Sequence, residues 1–212
     1  MNGLRAWVTN FSMETSPPMP DISSICVFCG SRAGTDPVYE ETARTLGRMM
    51  AERGIRLVFG GGRVGLMGVI GDALIEAGGE VTGVIPDFLR QREVGRDDLT
   101  EMIVTDSMHS RKRKMFELAD AFVSLPGGLG TLDETIEVAT WKQLGLHDKP
   151  IVILNAGGYW DALSVLLASV VDGGFAYGDM PSLWTVVDTP AEVFDVIGAA
   201  GQPDRQAAIG RL

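Results

Sequence analysis

Ala121-Phe122-Val123-Ser124-Leu125-Pro126-Gly127-Gly128-Leu129-Gly130-Thr131-Leu132-Asp133-Glu134 passes from an apolar run, through a glycine turn, into a segment that opens with carboxylates. The run to Leu125 reads as a strand and the stretch from about Thr131 to Leu144 as a helix. Glycines let a backbone approach an anion closely, and the exposed N–H groups of a helix start can hold it. The turn therefore predicts a phosphate cradle. A glutamate beside a bound phosphate is electrostatically awkward, which points to chemistry next to the phosphate as well as binding.

The same pattern repeats outward in both directions. Ile22–Phe28, Ile55–Phe59, Glu80–Ile85, Thr100–Thr105, Pro150–Asn155 and Trp184–Val187 are the other strand candidates. Between them lie helical stretches: Asp36-Pro37 to about Arg53, Gly65 to about Ala77, Met108–Leu118, Tyr159–Val171 and Pro190–Ile197. Asp36 is the expected N-cap, with Pro37 at the first helical position. Asp87 to Leu99 is polar and charged, a loop with at most one helical turn. Apolar strands alternating with amphipathic helices predict an α/β fold, a Rossmann-like three-layer sandwich whose mostly parallel central sheet is flanked by helices. Residues 1–20, with Ser16-Pro17-Pro18-Met19-Pro20 near their end and Met13 as a candidate start, read as a flexible tail. Residues 21–200 form one domain, and 201–212 read as a second tail.

In such sheets ligands bind outside the carboxyl ends of the strands, near a switch in strand order. Three glycine-bearing turns follow strands here, at Gly30-Ser31, Gly60 to Gly65 and Gly127 to Thr131, so all belong to one rim and one composite pocket. Gly60-x-Gly62-x-x-Gly65 matches the dinucleotide fingerprint in form. That fingerprint also wants an acidic residue ending the next strand, where Val84-Ile85-Pro86 is followed only by Asp87. The nicotinamide reading is the lesser one. No Gly-Lys-Ser/Thr follows either turn, which weakens a triphosphatase reading further.

The chain has 212 residues and a formal charge of −10, an acidic balance that argues against general nucleic-acid binding. Basic residues cluster at Arg111-Lys112-Arg113-Lys114, either a solvated helix face or a local trap for an anion. The two cysteines, Cys26 and Cys29, have C-x-x-C spacing but lie in a strand, where an offset of three sends them to opposite faces. With only His109 and His147 elsewhere, no metal site is expected. The apolar stretch from Tyr159 to Val171 is too short to span a bilayer, so no membrane partner is expected, and a reducing, cytoplasmic setting is.

Breaking a C–N bond to ribose builds positive charge on the sugar. A carboxylate beside the anomeric carbon stabilises that charge and can orient or deprotonate the attacking water. Glu134, Glu137, Asp133 and Arg111 are the charged candidates. Glu134 and Glu137 share a helix face, while Asp133 is expected to point elsewhere as a helix N-terminal charge.

Val27-Phe28-Cys29-Gly30-Ser31, Gly60-Gly61-Gly62-Arg63-Val64-Gly65-Leu66-Met67-Gly68, Gly83-Val84-Ile85-Pro86, Met108-His109-Ser110-Arg111-Lys112, Pro126 to Glu134, and Thr140-Trp141-Lys142-Gln143-Leu144-Gly145-Leu146-His147-Asp148-Lys149-Pro150 occur in this order. Together they resemble the Lonely Guy family, the cytokinin riboside 5′-monophosphate phosphoribohydrolases, over about residues 22 to 198. The resemblance implies hydrolysis of an N6-substituted adenosine 5′-monophosphate to free base and ribose 5-phosphate, by a homodimer needing no metal or organic cofactor. It puts the catalytic roles on Arg111 and Glu134. It puts substrate and phosphate contacts on Ser31, Gly61, Gly62, Met108, Lys112, Gly127, Gly128, Gly130 and Thr131. Relatives often carry a lysine decarboxylase label, for which no lysine is recognisably placed. Rival readings are a general AMP or purine nucleotide nucleosidase and a non-catalytic nucleotide or cofactor carrier.

Gly65 and Gly68 can equally serve close packing, His147 a structural turn, and Trp141 and Met115 the core. Arg63 and Lys142 are the departures from the family pattern. The segment with Ile136, Ala139 and Trp141 is the expected seam for pairing across a two-fold axis.

Overall fold

Branched and aromatic side chains suit a pleated sheet buried on both faces, and each apolar run forms a strand in the computed structural model, which describes residues 22–90, 98–176 and 180–200. The strands are β1 (Ser24–Phe28), β2 (Arg56–Phe59), β3 (Val81–Pro86), β4 (Glu101–Thr105), β5 (Ala121–Ser124), β6 (Ile151–Leu154) and β7 (Thr185–Val187). They form one sheet in the order β4-β3-β2-β1-β5-β6-β7. Each neighbouring pair is parallel, so the sheet is parallel throughout. From β1 the chain winds outward to β4, then returns to the other side of β1 as β5. The strand order therefore reverses between β1 and β5, and the crevice above their carboxyl ends is the one that such topology opens.

Helices cover both faces: α1 (Pro37–Glu52), α2 (Gly65–Glu76), α3 (Asp87–Arg90), α4 (Met108–Leu118), α5 (Leu129–Gln143), α6 (Asp161–Asp172) and α7 (Pro190–Ala199). One core layer joins Ile25, Val27 and Cys29 to Leu46, Ile70 and Phe194. The other joins Cys26, Phe28 and Phe122 to Phe116 and Val138. The two cysteines thus lie on opposite sides of the sheet, buried and free. Burial pushes both thiols up, away from the reactive thiolate.

Local signals set most helix starts. Asp36 accepts from Val38 N–H at 3.0 Å, with Pro37 in the first turn. Ser107 and Thr189 form capping boxes with Ser110 and Glu192. Two starts differ from expectation. α5 begins at Leu129, so Asp133 lies beyond the first turn. Ahead of α6, Gly157 and Gly158 adopt φ of 60° and 74° within a short 3-10 turn, delaying the helix to Asp161. The single helical turn expected between Asp87 and Leu99 is α3, and residues 91–97 lie outside the described residues. Both expected tails, residues 1–20 and 201–212, also lie outside the described residues.

His147 is structural, as its turn suggested. Its Nδ1 accepts from Lys149 N–H at 3.1 Å, which assigns the proton to Nε2, 2.8 Å from the Val138 carbonyl. Burial lowers its pKa to about 4, despite the opposing bond to Val138. Among the described residues no helix is long and apolar enough to cross a membrane.

Candidate active site

Three elements converge on the crevice: the turn after β1, the turn after β2 and the start of α5, with α4 approaching from the side. Arg111 in α4 is only 6% exposed, and its guanidinium lies against Gly60. A Cβ at Gly60 would come within 2.2 Å of Arg111 Nη2, so this glycine makes the room for the arginine. Arg111 Nη2 stands 3.9 Å from Glu134 Oε1, and its Nη1 points to Met108 Sδ at 3.8 Å. Its buried Nε finds no hydrogen-bond partner among the described residues. A guanidinium buried with a donor unsatisfied costs stability, about 1–3 kcal/mol for such a group. That is an arrangement expected of a working residue rather than a packing one.

The crevice has two connected halves. One, of about 270 Å³, is lined by Arg111, Glu134, Asp133, Gly60, Met67 and Leu89. The other, of about 600 Å³, is lined by Arg32, Tyr39, Leu66, Pro126, Gly127 and Tyr159. Gly30, Ser31, Gly128 and Leu129 belong to both. At their junction α5 begins, and the N–H groups of a helix's first turn have no intrahelical acceptor, so Leu129, Gly130 and Thr131 offer donors and the positive end of the helix dipole.

The turn glycines divide by role. Gly127 is packed: a Cβ there would sit 2.1 Å from Thr131 Oγ1 and 2.9 Å from Gly30 N. Gly30 N–H in turn donates to the Pro126 carbonyl at 3.0 Å, tying the two turns together. Gly128 and Gly130 have open space where a Cβ would go, and both line the cleft. Packing does not require glycine at these two positions, whereas close approach of a ligand would. Gly65 and Gly68 serve packing, against Ser31-Arg32 and the Arg63 carbonyl. We expect Gly127→Ala to lower thermal stability by about 2–4 kcal/mol through overpacking. Gly128→Ala is expected to leave the melting temperature unchanged while raising the KM for a phosphorylated substrate. Equal melting temperatures for the two variants would refute this division.

Of the residues expected in the site, Ser31, Met108, Arg111, Gly127, Gly128, Gly130, Thr131 and Glu134 line the crevice. Gly61 and Gly62 do not line it; Gly61, at φ 76°, instead faces Met102 and Ile85. Gly60, which was not among the expected contacts, takes their place. Lys112 does not line it either. Its Nζ is held by Asp133 at 3.2 Å and Glu137 at 3.0 Å. Burial alone would lower its pKa, and these bonds more than reverse that. Asp133 is therefore a partner of Lys112 at the cleft edge rather than a dipole charge pointing away. Glu134 and Glu137 do share a face of α5, each opposite one of two consecutive basic residues of α4.

Arg113 points away, 52% exposed and bonded to Glu117 at 3.0 Å. Arg113→Ala should leave kcat/KM within about twofold, since exposed pairs of this kind contribute little. A loss as large as that from removing Arg111 would overturn the assignment of the α4 face. Lys142 donates to the Lys149 carbonyl at 3.2 Å, so its charge serves the loop after α5. Among the described residues no group of His, Cys, Asp and Glu side chains gathers as a metal site would require.

A family model described as "possible lysine decarboxylase" matches residues 67–197. The chain is 49% identical over 151 residues to cytokinin riboside 5′-monophosphate phosphoribohydrolase LOG7 of Arabidopsis thaliana, covering 71% of this chain and 70% of that one. Identity to the same plant's LOG2 is 47% over 151 residues, 71% of each chain. A probable enzyme of the same name, LOGL1 of Oryza sativa subsp. japonica, is 42% identical over 176 residues, 83% of this chain and 79% of that one. Among solved structures, TM1055 superposes with a TM-score of 0.64 at 27% identity, covering 84% of this chain and 99% of that one. The molybdenum cofactor carrier protein of Chlamydomonas reinhardtii gives 0.64 at 23% identity, covering 84% and 97%, a likeness of fold alone.

Proposed function

The chain belongs to the family of the cytokinin riboside 5′-monophosphate phosphoribohydrolases, and we infer that it hydrolyses the N-glycosidic bond of such nucleotides, releasing the free base and ribose 5-phosphate. The observation that carries this reading is the buried Arg111 facing Glu134 at 3.9 Å beside the unoccluded start of α5. A phosphate held by the α5 donors leaves the ribose lying over Glu134. Water adds to the anomeric carbon, the C–N bond electrons pass to the base, and the water's proton ends on the departing base. Glu134 takes that proton from the water and its charge stabilises the oxocarbenium-like transition state. Arg111, 3.9 Å from Glu134, adds positive charge for the phosphate or the leaving base.

The lysine decarboxylase description finds no support in the cleft, because among the described residues no lysine lines it. Lys112 is bound by Asp133 and Glu137, and Lys149 is fully buried with its Nζ on the Phe116 carbonyl at 2.7 Å.

We also propose a homodimer in the cytoplasm. Of the expected seam, Ala139 is 3% exposed in the core and Trp141 packs edge-on to Phe116 at 5.2 Å, leaving Ile136 outward. A second apolar surface is α6, which buries none of its residues and exposes Val165 and Leu166. Light scattering on the purified protein tests the assembly.

The activity is tested with isopentenyladenosine 5′-monophosphate and AMP side by side, following free base and ribose 5-phosphate. We expect preference for the N6-substituted nucleotide. Equal or better cleavage of AMP would make this a general nucleotide nucleosidase, and tight binding without cleavage would make it a carrier.

A further inference from the structure

Tyr159 lines the larger half of the crevice, apart from the half that holds Arg111 and Glu134. Its hydroxyl donates to the Gly127 carbonyl. In a trans peptide the carbonyl oxygen and the following N–H point in opposite directions. Holding the Gly127 carbonyl toward Tyr159 therefore aims the Gly128 N–H away from it. With glycine on both sides this peptide could otherwise rotate at little cost, and a rotated peptide would present a carbonyl oxygen to an anion in place of a donor. The preceding peptide is held too, because the Pro126 carbonyl accepts from Gly30 N–H at 3.0 Å.

The tyrosine is itself seated with care. Gly157 and Gly158, both left-handed, turn the chain so that Tyr159 reaches back over the β5–α5 turn. Asn155 fixes that turn, its side chain accepting from Trp160 N–H at 2.7 Å and donating to Asp161 at 2.9 Å. The Tyr159 ring is wedged edge-on between Tyr39, at 5.7 Å, and Trp160, at 5.0 Å. Tyr39 occupies space that a side chain at Gly34 would fill, since a Cβ there would meet its ring at 2.6 Å. The hydroxyl is thus delivered by edge-on aromatic contacts between α1 and the turn that precedes α6.

We propose that Tyr159 is a positioning residue that locks the Gly127-Gly128 peptide with its N–H toward the substrate's 5′-phosphate, and so sets the enzyme's requirement for a monophosphate over the bare nucleoside. This rests on the hydrolase reading above. It predicts that Tyr159→Phe, which keeps the ring and removes the hydroxyl, weakens phosphate recognition while leaving the sugar chemistry alone.

The test compares wild type, Tyr159→Phe and the control Arg113→Ala for cleavage of isopentenyladenosine 5′-monophosphate and of its riboside. Inorganic phosphate is titrated as a competitive inhibitor. Loss of one anion-aiming hydrogen bond corresponds to about a tenfold effect. For Tyr159→Phe we expect KM for the monophosphate and Ki for phosphate each to rise about tenfold. kcat and riboside cleavage should be unchanged, and Arg113→Ala, on the exposed face of α4, should behave as wild type. Unchanged KM and Ki, or an equal loss on nucleotide and riboside, would overturn the proposal. Calorimetric binding of inorganic phosphate to the same variants reads the role without turnover. Absent cleavage with a tenfold loss of phosphate affinity would refute the hydrolase reading yet keep the Tyr159 assignment.

Discussion

Glu134→Gln should lower kcat by about a thousandfold or more, equivalent to roughly 4 kcal/mol of transition-state stabilisation, while the dissociation constant for the nucleotide changes by less than about threefold. The amide keeps the shape and an acceptor oxygen toward Arg111, so the 12% exposed side chain can remain where it is. What disappears is the negative charge facing the anomeric carbon and the ability to take a proton from water. Both act on the transition state and neither on the bound phosphate. Binding can even tighten, because a carboxylate near a phosphate repels it. The checks are single-turnover rate, calorimetric affinity and melting temperature measured on one preparation. Loss of binding and fold together would remove Glu134 from the chemistry.

Replacing Arg111 is expected to damage rate and affinity together. In Arg111→Ala, kcat should fall about a hundredfold and KM rise about tenfold, because the phosphate loses a cation and Glu134 loses the charge opposite it. Arg111→Met, closer in volume, separates function from packing. The methionine variant leaves the largely buried Glu134 without the Arg111 counter-charge, so it is expected to be less stable than wild type while losing the same activity as the alanine variant. Unchanged kinetics in either variant would exclude Arg111 from the site.

The alternation of elements was legible because it is a local matter. Strand runs such as Ile25 to Phe28, caps such as Asp36 before Pro37, and the glycines after β5 declare themselves to their sequence neighbours. Helix starts moved only where local signals conflicted. α5 recruited Leu129 and Gly130 into its first turn, and the paired left-handed glycines before Tyr159 postponed α6. Arg111 and Glu134, which the fold brings within 3.9 Å of each other, were legible as candidates through family resemblance and charge, since they stand in distinctive motifs.

Partnerships between elements were not legible in the same way. Lys112 follows Arg111 directly, yet consecutive residues on a helix point about 100° apart, and only packing against α5 reveals that Asp133 and Glu137 claim the lysine. Gly60 looks like its two neighbours in the triple glycine. The clash that a Cβ there would make with Arg111 exists only once α4 lies across the end of β2. Tyr159 gave no sequence signal, because its target is a backbone carbonyl 32 residues away. Composition and periodicity dictate which segments are strands, helices and glycine turns, since those depend on contacts within a few residues. The sheet order that sets β1 beside β5, and the side chains that meet in the crevice above them, depend on long-range contacts that only the folded chain forms.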